Sequence, residues 1–336
     1  IDDSVGTIES STIISNTGAS YGGGVMSYVA NTRISASDIF SNTIESSSGG
    51  GGVYHDYGNL IVEQGSEIRY NRSASLGGGI RAQDGAILIE DSTISHNYSD
   101  SFGGGIYADD GMWMRNTTVE YNEANSDGGG TDSSGYIHGS TIQHNQASGN
   151  GGGLYTWGII ESSQVYDNEA PYGGGIYAKG VSIYNSTIKD NRARTSDGGG
   201  VYIYNGSSNG GAILVESSIR DNEGASGEEG AGVYSESQPV TALSSTFSGN
   251  FGADLGGAIY SEGVVDLLNS TVSGNSAVTG AGLYNLGSLS LNYTTVADNR
   301  GSTNAGGNYN AHITTIENSI VAGNQASGSP TNSTAD

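Results

Sequence analysis

The 336-residue sequence predicts an all-β fold built from one repeated coil. It is a right-handed single-stranded parallel β-helix, a three-sided β-solenoid of about 13 coils of ~26 residues. Three observations predict it. An asparagine closes a short strand at a regular interval, a small-residue triad recurs in phase with it, and the residues between alternate with period two.

The asparagine ends a Ser-Thr-Ile-x-x-Asn segment or a near variant. It falls at Asn16, Asn42, Asn71, Asn97, Asn122, Asn145, Asn168, Asn191, Asn222, Asn250, Asn275, Asn299 and Asn324. An asparagine at the same corner of every coil can hydrogen-bond to its own backbone and to the asparagines above and below. Such a ladder satisfies polar groups that would each cost ~1–3 kcal/mol if buried unpaired.

The triad follows the asparagine, usually as Gly-Gly-Gly, then an aliphatic residue and often tyrosine. Its third position is read at Gly24, Gly52, Gly79, Gly105, Gly130, Gly153, Gly175, Gly200, Gly232, Ala258, Gly282 and Asn308. Glycine there admits positive φ at the entry to a strand and leaves a flat strip without side chains. The aliphatic residues after it, such as Ile80, Ile106, Leu154, Ile176, Val201 and Leu283, form one inward column.

One coil shows the period. Gly173 to Tyr177 reads as a first strand, Ala178-Lys179-Gly180 as a turn, Val181 to Tyr184 as a second strand and Ser186-Thr187-Ile188 as a third. A polar loop then leads to Gly198. Three short strands per ~26 residues do not fit the ~40–50-residue blades of a β-propeller. At ~4.8 Å per coil the stack would be a rod about 60 Å long. The β-helix spans residues 1–324, with a polar tail over 325–336 and a Ser/Asn/Gly insertion from Asn205 to Gly211 that reads as a surface loop.

Composition agrees with this class. Gly is 57 of 336 residues, yet 21 tyrosines and abundant Ile and Val argue against disorder. The net charge of −24 repels nucleic acid and anionic lipid, and suits bound cations or a saline, extracellular medium. With no cysteine, no disulfide staples the fold. No apolar run approaches the ~18 residues of a membrane helix, so membrane insertion is not expected. A chain opening on Ile1 reads as a processed or excised product.

The pattern resembles the repeats of chlamydial-type polymorphic outer membrane proteins and related bacterial surface β-helices, whose signature joins G-G-A-I with F-x-x-N. One coil carries both: Phe247-Ser248-Gly249-Asn250, then Gly256-Gly257-Ala258-Ile259. Elsewhere Ile or Val replaces Phe and Gly often replaces Ala. The resemblance implies the fold throughout, and a secreted, adhesive surface protein.

β-Helices also host polysaccharide lyases and hydrolases, but their residue patterns are missing. Asp109-Asp110 precedes Gly111 in what reads as a turn, His138-Gly139 lacks a preceding glycine, and only two lysines are present. The column before the ladder asparagine is the sharpest constellation: His96, Tyr121, His144, Asp167, Asp190 and Asp221. Its three carboxylates, stacked ~5 Å apart, admit three readings. They are solvated beside Lys189 and Arg220, or hold a cation such as Ca2+, or form the acid pair of a glycosidase. Loop acids Asp127, Asp197, Glu228, Glu229 and Asp254 lack the spacing of calcium-binding nonapeptides.

A second column is aromatic. Tyr54, Tyr107, Tyr155, Tyr177, Tyr202, Tyr234, Tyr260 and Tyr284 each follow the inward aliphatic residue, so alternation turns them outward beside the glycine strip. They would bind glycan or dock another protomer, unless they only stack on one another. Among the N-x-Ser/Thr sequons, Asn205 in its insertion is the best candidate for glycosylation. Repeats begin almost at residue 1 and reach Asn324 without an amphipathic cap, which points to a segment of a longer protein or to head-to-tail stacking of copies. The sequence therefore predicts an extracellular structural or adhesive β-solenoid that assembles end to end as a filament or surface fibre. The alternatives are a glycan-binding bacterial adhesin passenger segment, and a polysaccharide-degrading enzyme using Asp167, Asp190 and Asp221.

Overall fold

The computed structural model describes residues 5–45, 49–206 and 210–327, with the backbone of 329 and 330. Every regular element among the described residues is a β-strand, and no helix there could cross a membrane. The strands form parallel sheets wound as a β-solenoid of about 13 turns. The chain divides into two compact units, Ile1–Gln164 and Val165–Asp336.

A coil of the first unit shows the construction. Strands Ile80–Ala82 and Ile87–Glu90 lie on a long face, Thr93–Ser95 on a second face and Tyr98–Ser99 on a third. Each pairs in parallel with its counterpart one coil away, so Ile80 lies between Val53 and Ile106, and Ile94 faces Ile68. Identical register repeats every inward position, and Ile80, Ile89 and Ile94 are fully buried. The same holds in the second unit, where Val233 pairs with Val201 and Ile259.

Two ladders run along the bends. In the first unit the backbone N–H and Nδ2 of Asn97 both donate to Oδ1 of Asn122, at 2.9 and 3.0 Å, and Asn122 repeats this on Asn145. In the second unit Asn168 donates in this way to Asn191, and the series continues through Asn222, Asn250, Asn275 and Asn299 to Asn324. The second Nδ2 proton goes to a carbonyl of the coil behind, as Asn191 donates to Val165 O at 2.9 Å. The serine of Ser-Thr-Ile forms the other ladder. The N–H of Ser217 donates to Oγ of Ser245, and that of Ser245 to Oγ of Ser270, both at 3.2 Å.

The glycine strip is interior, not the exposed flat surface expected. A Cβ on Gly200 would lie 2.9 Å from Nδ2 of Asn222 and 2.6 Å from the carbonyl of Gly232, and Gly79, Gly105, Gly130 and Gly175 meet their asparagines in the same way. The third glycine of the triad is therefore the floor on which the next asparagine amide lies.

Four local expectations change. The polar loop after the asparagine opens with a two-residue strand, such as Arg192–Ala193, which supplies the third face. The turns expected at Ala178-Lys179-Gly180 and Asp109-Asp110 do not form, because Ile176–Tyr184 and Ile106–Arg115 are continuous strands. The acid pair sits instead at a bulge between Ala108 and Met112. The last triad is one residue earlier than read: Gly307 packs on Asn324, while Asn308 pairs with Leu283 at the inward position. At the tail, Gln325–Ala326 pairs in parallel with Arg300–Gly301 and so continues the coil, whereas residues 331–336 lie outside the described ones.

Asn222→Ala removes the acceptor of two donors from Asn191 and should lower unfolding stability by at least about 2 kcal/mol. Gly200→Ala should cost ~1–3 kcal/mol through overpacking. Urea denaturation checks both, against Asn205→Ala as an exposed control.

Candidate functional site

The column before the ladder asparagine is first a conformational column. His96, Tyr121 and His144 have φ of 54–55°, and Asp167, Asp190 and Asp221 have φ of 53–56°. Asp, Asn, His and Gly tolerate this left-handed conformation best, so the histidines and aspartates suit the bend, whereas Tyr121 adopts it between two stacked histidine rings. In the first unit these rings stack, with centroids of His96 and Tyr121 4.9 Å apart and those of Tyr121 and His144 4.7 Å apart. In the second unit the three aspartates are exposed and border a cleft of about 380 Å³ with Glu169, Glu223 and Phe251. Counter-charges stand beside them. Lys189 pairs with Asp190 at 3.0 Å, Arg220 with Asp221 at 2.7 Å, Arg194 with Glu169 at 3.4 Å and Arg192 with Glu223 at 3.5 Å.

The tyrosines differ between the units. In the second, Tyr177, Tyr202, Tyr234, Tyr260, Tyr284 and Tyr309 form one stack with centroids 4.6–5.4 Å apart. Tyr202, Tyr234 and Tyr260 are buried, at 6–8% exposure, and Tyr177 and Tyr284 are half-buried. This corrects the expectation of an exposed ladder, since the ring faces that would meet a sugar are covered by one another. In the first unit charges interrupt the column: Arg81 lies between Tyr54 and Tyr107, and Asp132 between Tyr107 and Tyr155. Tyr107 and Tyr155 are half-buried.

Carboxylates crowd both columns. Asp197, Glu228 and Glu229 bring their oxygens within 4.8 Å of one another beside the stack of the second unit. Asp197 is buried and accepts the backbone N–H of Glu229 at 2.8 Å, a clamp between coils that Asp127 repeats on Asn150 at 2.7 Å. Burial first, then Asp197, raise the carboxyl of Glu229 above its ordinary range. Burial, with Asp127 and Asp109, pushes Asp132 up to about 8. Asn205 is exposed, with its amide oxygen accepting from Gln238, while Ser207 of its sequon lies outside the described residues.

The aromatic surface is elsewhere. In the first unit Ile61, Leu88, Trp113, Tyr136 and Ile159 are in register on the outer side of the long face. Trp113 is 64% and Ile159 40% exposed, and Trp157, two residues before Ile159, is 47% exposed. Beside them runs a polar row in register, Glu90, Arg115, His138 and Glu161. Sequence reading singled out none of these residues, because Trp113 and Tyr136 lie next to the apolar Met112, Met114 and Ile137 and belong to no repeated column. The available signal was that alternation from buried Met112 and Met114 forces Trp113 outward.

Residues 79–238 match the family model described as right handed beta helix region, which gives the class: a right-handed parallel β-helix. Residues 244–262 match the Chlamydia polymorphic membrane protein repeat, on the coil carrying Phe247 to Asn250 and Gly256 to Ile259. The chain is thus similar to polymorphic-membrane-protein-type β-helix repeat proteins. No curated protein and no solved structure matches it.

The raised Asp132 carboxyl fixes a sign. The folded state holds its proton where the unfolded chain, near the ordinary 3.8, has released it. Its contribution is complete below about pH 3.8 and disappears as pH rises to about 8. Asp132→Asn should therefore raise the melting temperature relative to the parent at pH 8.5 and leave it nearly unchanged at pH 4, read by calorimetry. His55, buried and lowered from 6.5, acts with the opposite sign in acid, so the variant-to-parent difference is the diagnostic quantity.

Proposed function

We propose that the chain is a non-enzymatic structural and adhesive β-solenoid of a cell surface, a surface-fibre segment whose end coils stack head to tail on another copy. The observation that carries this reading is the state of the outermost described coils. Ile316 is in register with Leu291, an inward position, yet it is 45% exposed where Leu291 is 0%. At the other end Ile8 and Ile13 are in register with the fully buried Ile34 and Ile39, yet both are only half-buried.

An inward residue leaves water only when a coil lies on each side of it. Each of these two described coils therefore carries a strand edge beside partly exposed apolar side chains, a template on which a further coil, of this chain or of another copy, can pair. Such a contact is heterologous and propagates. The net charge of −24 opposes side-by-side clumping while end pairing proceeds. The match to a polymorphic membrane protein repeat supports a surface location. The ion-paired state of Asp190 and Asp221 supports a structural rather than catalytic role for that corner.

Sedimentation velocity and electron microscopy at rising concentration test the assembly. End-to-end oligomers that lengthen with concentration, and revert to single particles in Ile316→Lys, are expected. Single particles at every concentration of the parent chain would overturn it.

A further inference from the structure

We infer that the long face of the unit Ile1–Gln164 binds an uncharged polysaccharide chain, laid over Trp113 and Tyr136 with Trp157 as a wall. This goes beyond the end-to-end assembly and does not depend on it. The chain has two tryptophans, and both are on the outside of this face, at 64% and 47% exposure. Exposed indole on a regular solenoid forgoes the burial that tryptophan ordinarily gains.

The rings are held in place. Tyr136 donates its hydroxyl to Oε2 of Glu161, and its ring stacks on His138 at 6.0 Å and 16°. Trp113 meets Tyr136 edge to face at 5.7 Å and 60°, which leaves indole surface free, unlike the mutually covered tyrosines of the second unit. Gly111 and Ser134 are neighbours on one flank of these rings. Because Gly158 pairs with Gly135, Trp157 follows Ser134 at the equivalent position, standing past two small residues. On the other flank Arg115, His138 and Glu161 offer donors and acceptors in register.

An apolar strip beside a polar row suits a sugar chain, whose C–H faces stack on rings while its hydroxyls reach charged groups. Coils ~4.8 Å apart make the strip from Trp113 through Tyr136 to Ile159 about 10 Å long, enough for an extended chain and more than one sugar ring. Charge selects among occupants. A net charge of −24 disfavours uronate or sulfated polymers, and equally a second copy laid side by side.

Because both tryptophans are in the site, intrinsic fluorescence reports occupancy. Cello- and chito-oligosaccharides serve as uncharged probes, oligogalacturonate as the anionic one. The expected result is a saturable change with an uncharged probe, weakened at least about tenfold in Trp113→Ala and Tyr136→Ala and unaltered in Tyr121→Ala. Calorimetric titration repeats the comparison where a tryptophan has been removed. Trp113 is exposed, so the variant should keep the parent's urea midpoint, which separates lost binding from lost folding. No saturable change with either uncharged probe at millimolar concentration would overturn the proposal. So would stronger binding of oligogalacturonate, unaltered binding by Trp113→Ala, or loss of lateral self-association in that variant.

Discussion

The rest of the structure depends on one contact, the asparagine side chain lying flat on the third glycine of the triad in the neighbouring coil. The amide uses all its hydrogen-bonding capacity. Oδ1 of Asn222 accepts the N–H and Nδ2 of Asn191, while its own Nδ2 donates to Asn250 and to the carbonyl of Ile188. Glycine gives the closest approach, because a methyl group on Gly200 would come within 2.9 Å of that nitrogen, although one coil carries Ala258 at this position with the ladder intact. The two markers of the repeat are thus two sides of one interior joint. A buried amide with every valence met also resists slippage, since any other register would leave several polar groups unpaired.

The bends impose a second constraint, and it governs composition. The residue before the asparagine is left-handed in both units, as is the residue before the serine ladder, seen at Asp91, Asn116, Asn185 and Asn269. Asp, Asn, His, Gly and Ser recur at these corners for conformational reasons. The bend alone is thus sufficient to account for a column of aspartates on a solenoid. Its chemistry has to be judged from surroundings, and those of Asp190 and Asp221 are a lysine and an arginine.

These two constraints explain what the sequence made legible. The period, the parallel pairing and the inward column follow from residues that repeat, and these are visible as a pattern. Features that vary from coil to coil were not. The first two strands fuse in the 23-residue coils from Asn168 to Asn191 and from Asn122 to Asn145, and also in the 25-residue coil from Asn97 to Asn122, so no repeated residue marks the fusion. The tyrosine column was placed on the correct side of the strand, but alternation gives direction and not depth. The rings of Tyr202, Tyr234 and Tyr260 lose their exposure to each other, a consequence of identical residues meeting at successive coils. The tryptophan stripe was hidden for the converse reason. It occupies an outward position whose inward neighbours are also large and apolar, so the alternation that would reveal it is masked.

Where function can reside follows from what the joint leaves free. Asparagine, glycine, serine and the inward aliphatics are fixed by packing, and the left-handed corners are nearly so. The outward positions of the second strand are bound by none of these demands, and there the two units diverge. In Val165–Asp336 the corresponding outward register runs Ser182, Ile213, Thr241, Asp266 and Ser290, mostly small and polar. In Ile1–Gln164 it runs Ile61, Leu88, Trp113, Tyr136 and Ile159. A regular lattice that places one unconstrained side chain every ~4.8 Å can hold a continuous apolar strip without disturbing its interior. Concentrating large side chains on one stretch of that lattice exposes apolar surface to water, a cost that the interior joint does not require and that a bound partner would offset.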